Sequence, residues 1–193
     1  MTSHQLMARQ CFEAYQRCDF EEANIEVTQE GNCFAFRGTD EPLDAVRDLR
    51  VLPWWNGREL GWAPAGFAKG ARRLLPKILS WCLEHDIDTQ DGLDFCGHSL
   101  GGAIALLVAA MCVRDEVPVG QVVTFGAPRC GRLKILDSTP VTQYRYGKDI
   151  VPTVPPIMRR HGKYVRINAP GSSFIKDHYM KNYLRMPKPA ESY

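Results

Sequence analysis

"DFCGHSLGGAIALL", residues 94–107, sets a serine between two glycines where an apolar strand gives way to an apolar helix. "GLDFCG" (92–97) reads as a short buried strand, and Leu100–Arg114, rich in Ala and Leu, as a helix. A strand that turns sharply into a helix leaves little room for side chains beside the turn. Gly97-x-Ser99-x-Gly101 therefore has the form of a nucleophile elbow. The helix begins at the serine, so its first amides point toward any negative charge that develops there. A bare G-x-S-x-G arises by chance in roughly one chain in twenty of such composition. Its context, a strand before and Gly102-Ala103 behind for close helix–sheet packing, carries the reading.

Outward from the elbow, strands alternate with helices. An amphipathic helix is expected over 4–17, within an N-terminal helical segment 1–20, and "NCFAFRG" (32–38) reads as a buried strand. "DAVRDLRVLPWW" (44–55) reads as a helical turn running into an apolar, proline-stopped loop. Residues 65–85 form a helix interrupted at Pro76, where a backbone donor is lost. Beyond the elbow, "QVVTFGAP" (121–128), "VTQYRYG" (141–147) and "KYVRIN" (163–168) read as strands, the last as an antiparallel one. Asp177–Arg185 reads as a terminal helix and 186–193 as a frayed tail. This alternation predicts a mostly parallel sheet flanked by helices, in one α/β domain spanning 1–193.

Composition bounds the chemistry. With 24 basic and 22 acidic residues the formal net charge is +2, which argues against a nucleic-acid partner. The cations read as intermixed with acids, and Arg159-Arg160 as a solvated face. Seven cysteines, an odd number with no C-x-x-C pair, read as core residues of a chain in a reducing compartment rather than as a zinc site. The N-terminus lacks the basic start and apolar stretch of a secretory signal, so a cytoplasmic location is expected.

A serine at neutral pH needs a base, and the base needs a group that fixes its tautomer. His161 and His178 follow Ser99, with Asp115, Glu116, Asp137 and Asp149 among the acids between. Asp149 follows the strand "QYRYG" and opens a proline-stiffened loop, where a sheet offers side chains at its carboxyl edge. His178 lies after the last strand, on a segment able to fold back over that edge. His161 lies in a charged turn and reads as solvated, and His98 as packing or hydrogen-bonding locally. Asp177 adjoins His178 and would diverge from it.

At this point the chain resembles the class 3, fungal-type lipase family of α/β hydrolases. "FAFRGTD" (34–40) resembles its strand and oxyanion turn, "DAVRDL" (44–49) its lid and "PAGF" (64–67) a further element. "GHSLGGAIA" (97–105) resembles its elbow, followed in order by "VVTFGAPRCG" (122–131), "YRYGKDIVPTVPP" (144–156) and "DHYMKNY" (177–183). The resemblance implies Ser99 as nucleophile, Asp149 as acid and His178 as base, with Thr39 and the amide of Leu100 as oxyanion donors. It implies hydrolysis of glycerolipid acyl esters without metal or cofactor.

Two further readings stay open: an esterase or acyltransferase for small soluble acyl esters, and a catalytically silent lipid-binding module. Val51, Leu52, Trp54 and Trp55 favour transient contact with a membrane or micelle surface if exposed, and are core under a loop if buried.

Overall fold

Period-two alternation builds the sheet. In "CFAF" (Cys33–Phe36), Phe34 and Phe36 enter one apolar layer while Cys33 and Ala35 enter the opposite one. In Leu93–His98, Phe95 and Cys96 divide in the same way. A strand buried on both faces requires cover on both, and helices supply it.

The computed structural model describes residues 2–39, 54–57, 61–131, 133–169 and 173–185. Helix α1 (Ser3–Glu13) opens the chain, capped by Thr2 in a reciprocal pairing with Gln5. Strands β1 (Phe20–Glu22), β2 (Ile25–Glu30) and β3 (Cys33–Phe36) follow. Next come a hairpin of β4 (Trp54–Gly57) and β5 (Gly61–Pro64), and then helix α2 (Ala65–Glu84). Strand β6 (Leu93–His98), helix α3 (Leu100–Arg114) and strands β7 (Val119–Phe125), β8 (Val141–Tyr146) and β9 (Lys163–Ile167) complete the sheet. A short helix α4 (Met180–Tyr183) comes last. The large sheet runs β1-β2-β3-β6-β7-β8-β9. The pairs β1–β2 and β2–β3 are antiparallel, and every later pair is parallel.

Helix α3 is buried without interruption from Gly101 to Cys112, which explains its uniformly small and apolar composition. It lies against β3, β6 and β7, with α2 packed outside it; α1 and α4 meet on the other face. Each large side chain sealed in these layers, Phe95 or Leu106 for example, contributes about 2 kcal/mol of burial.

The expected mostly parallel sheet between helices is present, with several corrections. Strand β9 is parallel to β8, not antiparallel. Strands β1 and β2, at one end of the sheet, are not among the expected strands, because "FEEANIEVTQE" carries too many charges to read as buried. Trp54 and Trp55 belong to a hairpin strand rather than a loop. The helix expected over 177–185 is a 3₁₀ turn, Lys176–His178, followed by the single turn of α4. The expected lid-like residues 44–53 and the tail 186–193 lie outside the described residues.

Candidate active site

The parallel strands present their carboxyl ends along one edge, and the residues singled out above cluster there. Ser99 follows β6, Gly126 follows β7, Asp149 follows β8, and Gly38-Thr39 follow β3. Ser99 has φ 55° and ψ −127°, a conformation that non-glycine residues seldom hold. Its amide donates to Phe125 O (2.9 Å) and its carbonyl accepts from the Gly102 amide (3.0 Å). The flanking glycines are sterically required. A methyl group on Gly97 would stand 2.6 Å from the Gly102 nitrogen, and one on Gly101 would strike the backbone carbonyl of Phe36.

Asp149 is fully buried, yet its carboxylate is well supplied with donors. Oδ1 accepts from the Val151 amide (2.9 Å), and Oδ2 accepts from the Tyr183 hydroxyl (2.6 Å) and meets His178 Nδ1 at 2.8 Å. Because a carboxylate only accepts, Nδ1 of His178 carries the proton and Nε2 bears a lone pair. That is the tautomer a general base needs. Burial first, and the neighbouring Asp149 second, hold the Tyr183 phenol well above its ordinary pKa, so it remains a donor.

Ser99 Oγ and His178 Nε2 are both buried and make no hydrogen bond. An unmet buried polar atom costs about 1–3 kcal/mol, a state these two share with Trp81 Nε1, Thr124 Oγ1, Arg145 Nε and the Tyr164 hydroxyl among the described residues. The His178 ring lies beside His98 of the elbow and beside Gly126. The His98 ring, adjacent in sequence to Ser99, has its centroid 4.6 Å from that of His178. A methyl group on Gly126 would lie 3.1 Å from His178 Cε1.

His98 hydrogen-bonds at both ring nitrogens. Its Nε2 donates to the His178 carbonyl (2.7 Å), and its Nδ1 accepts from the Tyr15 hydroxyl of the segment after α1 (2.6 Å). Complete burial, reinforced by the adjacent His178, pushes its pKa well below the ordinary histidine value, so it is neutral in this chain of bonds. Asp177 is not an orienter of His178. Its Oδ2 accepts from the Lys148 amide (2.8 Å) and ties the His178 turn to the Asp149 loop.

The other candidates lie apart from this cluster. Asp115 is paired with Arg114. His161 is buried rather than solvated; its Nδ1 stands 3.8 Å from Asp137, and its carbonyl accepts from Gln143. Arg159 is exposed as expected, whereas Arg160 lies over the Tyr164 ring, 3.9 Å from its centroid. Thr39 is exposed and joined to Gly38, where an added methyl group would stand 2.9 Å from Ser99 Cβ. Leu100 opens α3, so its amide belongs to the first turn, whose donors lack helical acceptors.

All seven cysteines are free thiols. Burial pushes those of Cys112 and Cys130 up to about 12, so neither is a thiolate at neutral pH.

The sequence profile of the family described as Lipase (class 3) matches residues 33–159, which includes Ser99 and Asp149. The chain belongs to the class 3 lipase family. Among solved structures it is similar to the Rhizomucor miehei lipase in complex with its propeptide. That match has 19% identity and a TM-score of 0.63, and covers 85% of this chain and 66% of that one. It is also similar to the Lip2 lipase of Yarrowia lipolytica, with 18% identity and a TM-score of 0.61, over 86% of this chain and 78% of that one. At such identities the likeness is one of fold, shared with α/β-hydrolase lipases. A curated relative, the toxin TseL of Vibrio cholerae, is 39% identical over 67 residues, 32% of this chain and 10% of the toxin. The chain thus spans about a tenth of that relative's length. For a class 3 lipase fold, Tyr15, His98 and Tyr183 are the polar residues around the site whose parts the motifs alone did not reveal.

Proposed function

We infer that the chain is a serine carboxylester hydrolase that cleaves acyl esters of glycerolipids. Family membership supports the lipase or esterase class. The observation that carries the finer reading is the unpartnered pair, Ser99 Oγ and His178 Nε2, with the imidazole anchored to Asp149.

In this reading Nε2 of His178 removes the Ser99 proton as Oγ attacks the ester carbonyl. Asp149 stabilises the imidazolium that forms. The oxyanion is held by the Leu100 amide and by the Thr39 amide or hydroxyl, each such donor being worth about 3 kcal/mol. His178 then hands its proton to the departing alcohol, and water repeats the sequence on the acyl-enzyme. Every step uses side chains and amides of the chain, without metal or cofactor.

A fluorophosphonate probe tests the assignment, because it captures an activated serine irrespective of the ester preferred. The wild type is expected to be labelled at Ser99 and to hydrolyse a p-nitrophenyl ester. Ser99→Ala is expected to lose labelling and about four orders of magnitude of turnover. Labelling at another residue, or turnover retained in Ser99→Ala, would refute the mechanism.

A further inference from the structure

The near-neutral total charge conceals an uneven division. Residues 138–185 hold nine Lys or Arg against two acids, Asp149 and Asp177, whereas the remainder holds fifteen against twenty. Both acids are buried. The intermixing of charges expected from composition therefore fails beyond Asp137, and every acid in this stretch is hidden from solvent.

Six of the eight exposed large apolar side chains among the described residues lie in the same stretch; Leu6 and Leu83 lie elsewhere. Ile150, Phe174, Ile175 and Tyr179 are 36%, 59%, 38% and 44% exposed. They share one surface. The Ile150 amide donates to Phe174 O, the Lys148 amide to Asp177 Oδ2, and Asn182 Nδ2 to Lys176 O. Lys181 Nζ stands 5.6 Å from the centre of the Tyr179 ring. Lys148 and Ile150 bracket Asp149 in sequence, and Asp177 and Tyr179 bracket His178. The buried acid and base thus lie directly beneath a surface of alternating cations and apolar groups.

We propose that this surface docks the protein on an anionic phospholipid bilayer, with the apolar side chains entering the interface and Lys148, Lys176 and Lys181 meeting lipid phosphates and carboxylates. Aromatic and aliphatic groups ringed by lysine suit the headgroup region, where each has a matching environment. Lysines near such a surface each strengthen binding, and salt weakens that part. A nucleic acid would use the cations but leave Ile150 and Ile175 unrewarded. The proposal rests on the neighbouring serine, histidine and aspartate being the lipid-cleaving group, because that gives the docking its purpose.

Binding is measured with the Ser99→Ala protein by cosedimentation with vesicles, so that hydrolysis plays no part. Vesicles of phosphatidylcholine with about 30 mol % phosphatidylserine are expected to bind at least about ten-fold more tightly than phosphatidylcholine alone at about 0.1 M salt. Lys176→Glu with Lys181→Glu is expected to remove that preference, and Phe174→Ser to weaken binding to both vesicles. Equal binding to the two vesicles, binding to neither, or displacement from anionic vesicles by an equal phosphate concentration of duplex DNA would each overturn the proposal. Hydrolysis of a short soluble p-nitrophenyl ester by the lysine double variant is expected to match wild type. Absence of that hydrolysis in the wild type would refute the catalytic reading and leave the vesicle result standing.

Discussion

Tyr183 donates its hydroxyl to Asp149 Oδ2, the same oxygen that His178 Nδ1 meets. That oxygen is held against rotation from a second side. Tyr183→Phe removes the donor without emptying the fully buried ring site, and the Tyr146 amide loses its acceptor with it. The carboxylate is then free to turn away from His178 Nδ1, and kcat on a soluble ester is expected to fall about ten-fold with KM unchanged. Steady-state kinetics of the variant check this. An unchanged kcat would reduce Tyr183 to a packing residue.

Ser99 is held in a strained conformation that its proposed role as nucleophile would give a purpose. Its φ of 55° with ψ of −127° lies where a Cβ is strained, at a cost of about 1–3 kcal/mol, and its hydroxyl is buried without a partner. Ser99→Gly relieves the strain but adds about 1 kcal/mol of unfolded-state entropy; Ser99→Ala keeps the strain. The glycine variant is expected to be more stable than the alanine variant by about 1 kcal/mol, with both inactive. Denaturant titration of the pair measures the difference, and a less stable glycine variant would contradict the strain argument.

His98 imposes a pH dependence on folding. Its folded-state pKa is depressed, by burial first and by His178 second, from an ordinary value of 6.5. Above that pH both states are neutral and the network contributes fully. Below it the unfolded chain takes up a proton that the folded chain refuses. Stability therefore falls as pH drops, by up to about 1.4 kcal/mol per pH unit, until the folded-state pKa is reached. His98→Gln is expected to flatten this slope relative to wild type between about pH 6.5 and 5, as followed by urea unfolding at each pH. Parallel slopes in the two proteins would show that His98 titrates normally.

What the sequence disclosed is local. The turn at Ser99 was legible because its spacing, the preceding strand and the following helix are all contiguous. The parallel sheet was legible because its central strands are apolar runs divided by helices. The bonds joining Tyr15 to His98, His98 to His178, and Tyr183 to Asp149 connect residues 83, 80 and 34 positions apart. No periodicity records such pairings. The direction of β9 differs from the expectation because a strand's own residues do not encode whether its neighbour runs with it; the connection across residues 147–162 decides that. The hairpin of β1 and β2 was hidden by its own charges, which the end of a sheet, with β1 at its edge, tolerates.

Gly126 tests how closely the site depends on backbone shape. Its φ is 63°, and an added methyl group would stand 2.8 Å from Asp149 Oδ2, 2.9 Å from the Tyr183 hydroxyl and 3.1 Å from His178 Cε1. Two of these neighbours hold the imidazole and the third is a ring atom of it, and the carboxylate has no slack, being bonded at both oxygens. Gly126→Ala must therefore push Asp149 or His178 aside as well as strain its own backbone by about 1–2 kcal/mol. A displacement of under an ångström at a catalytic pair costs about two orders of magnitude in rate. The variant is expected to keep its far-UV circular dichroism while losing about 100-fold in kcat/KM on a soluble ester. Turnover within about three-fold of wild type would mean that the pair tolerates the shift, and that the glycine serves the turn alone.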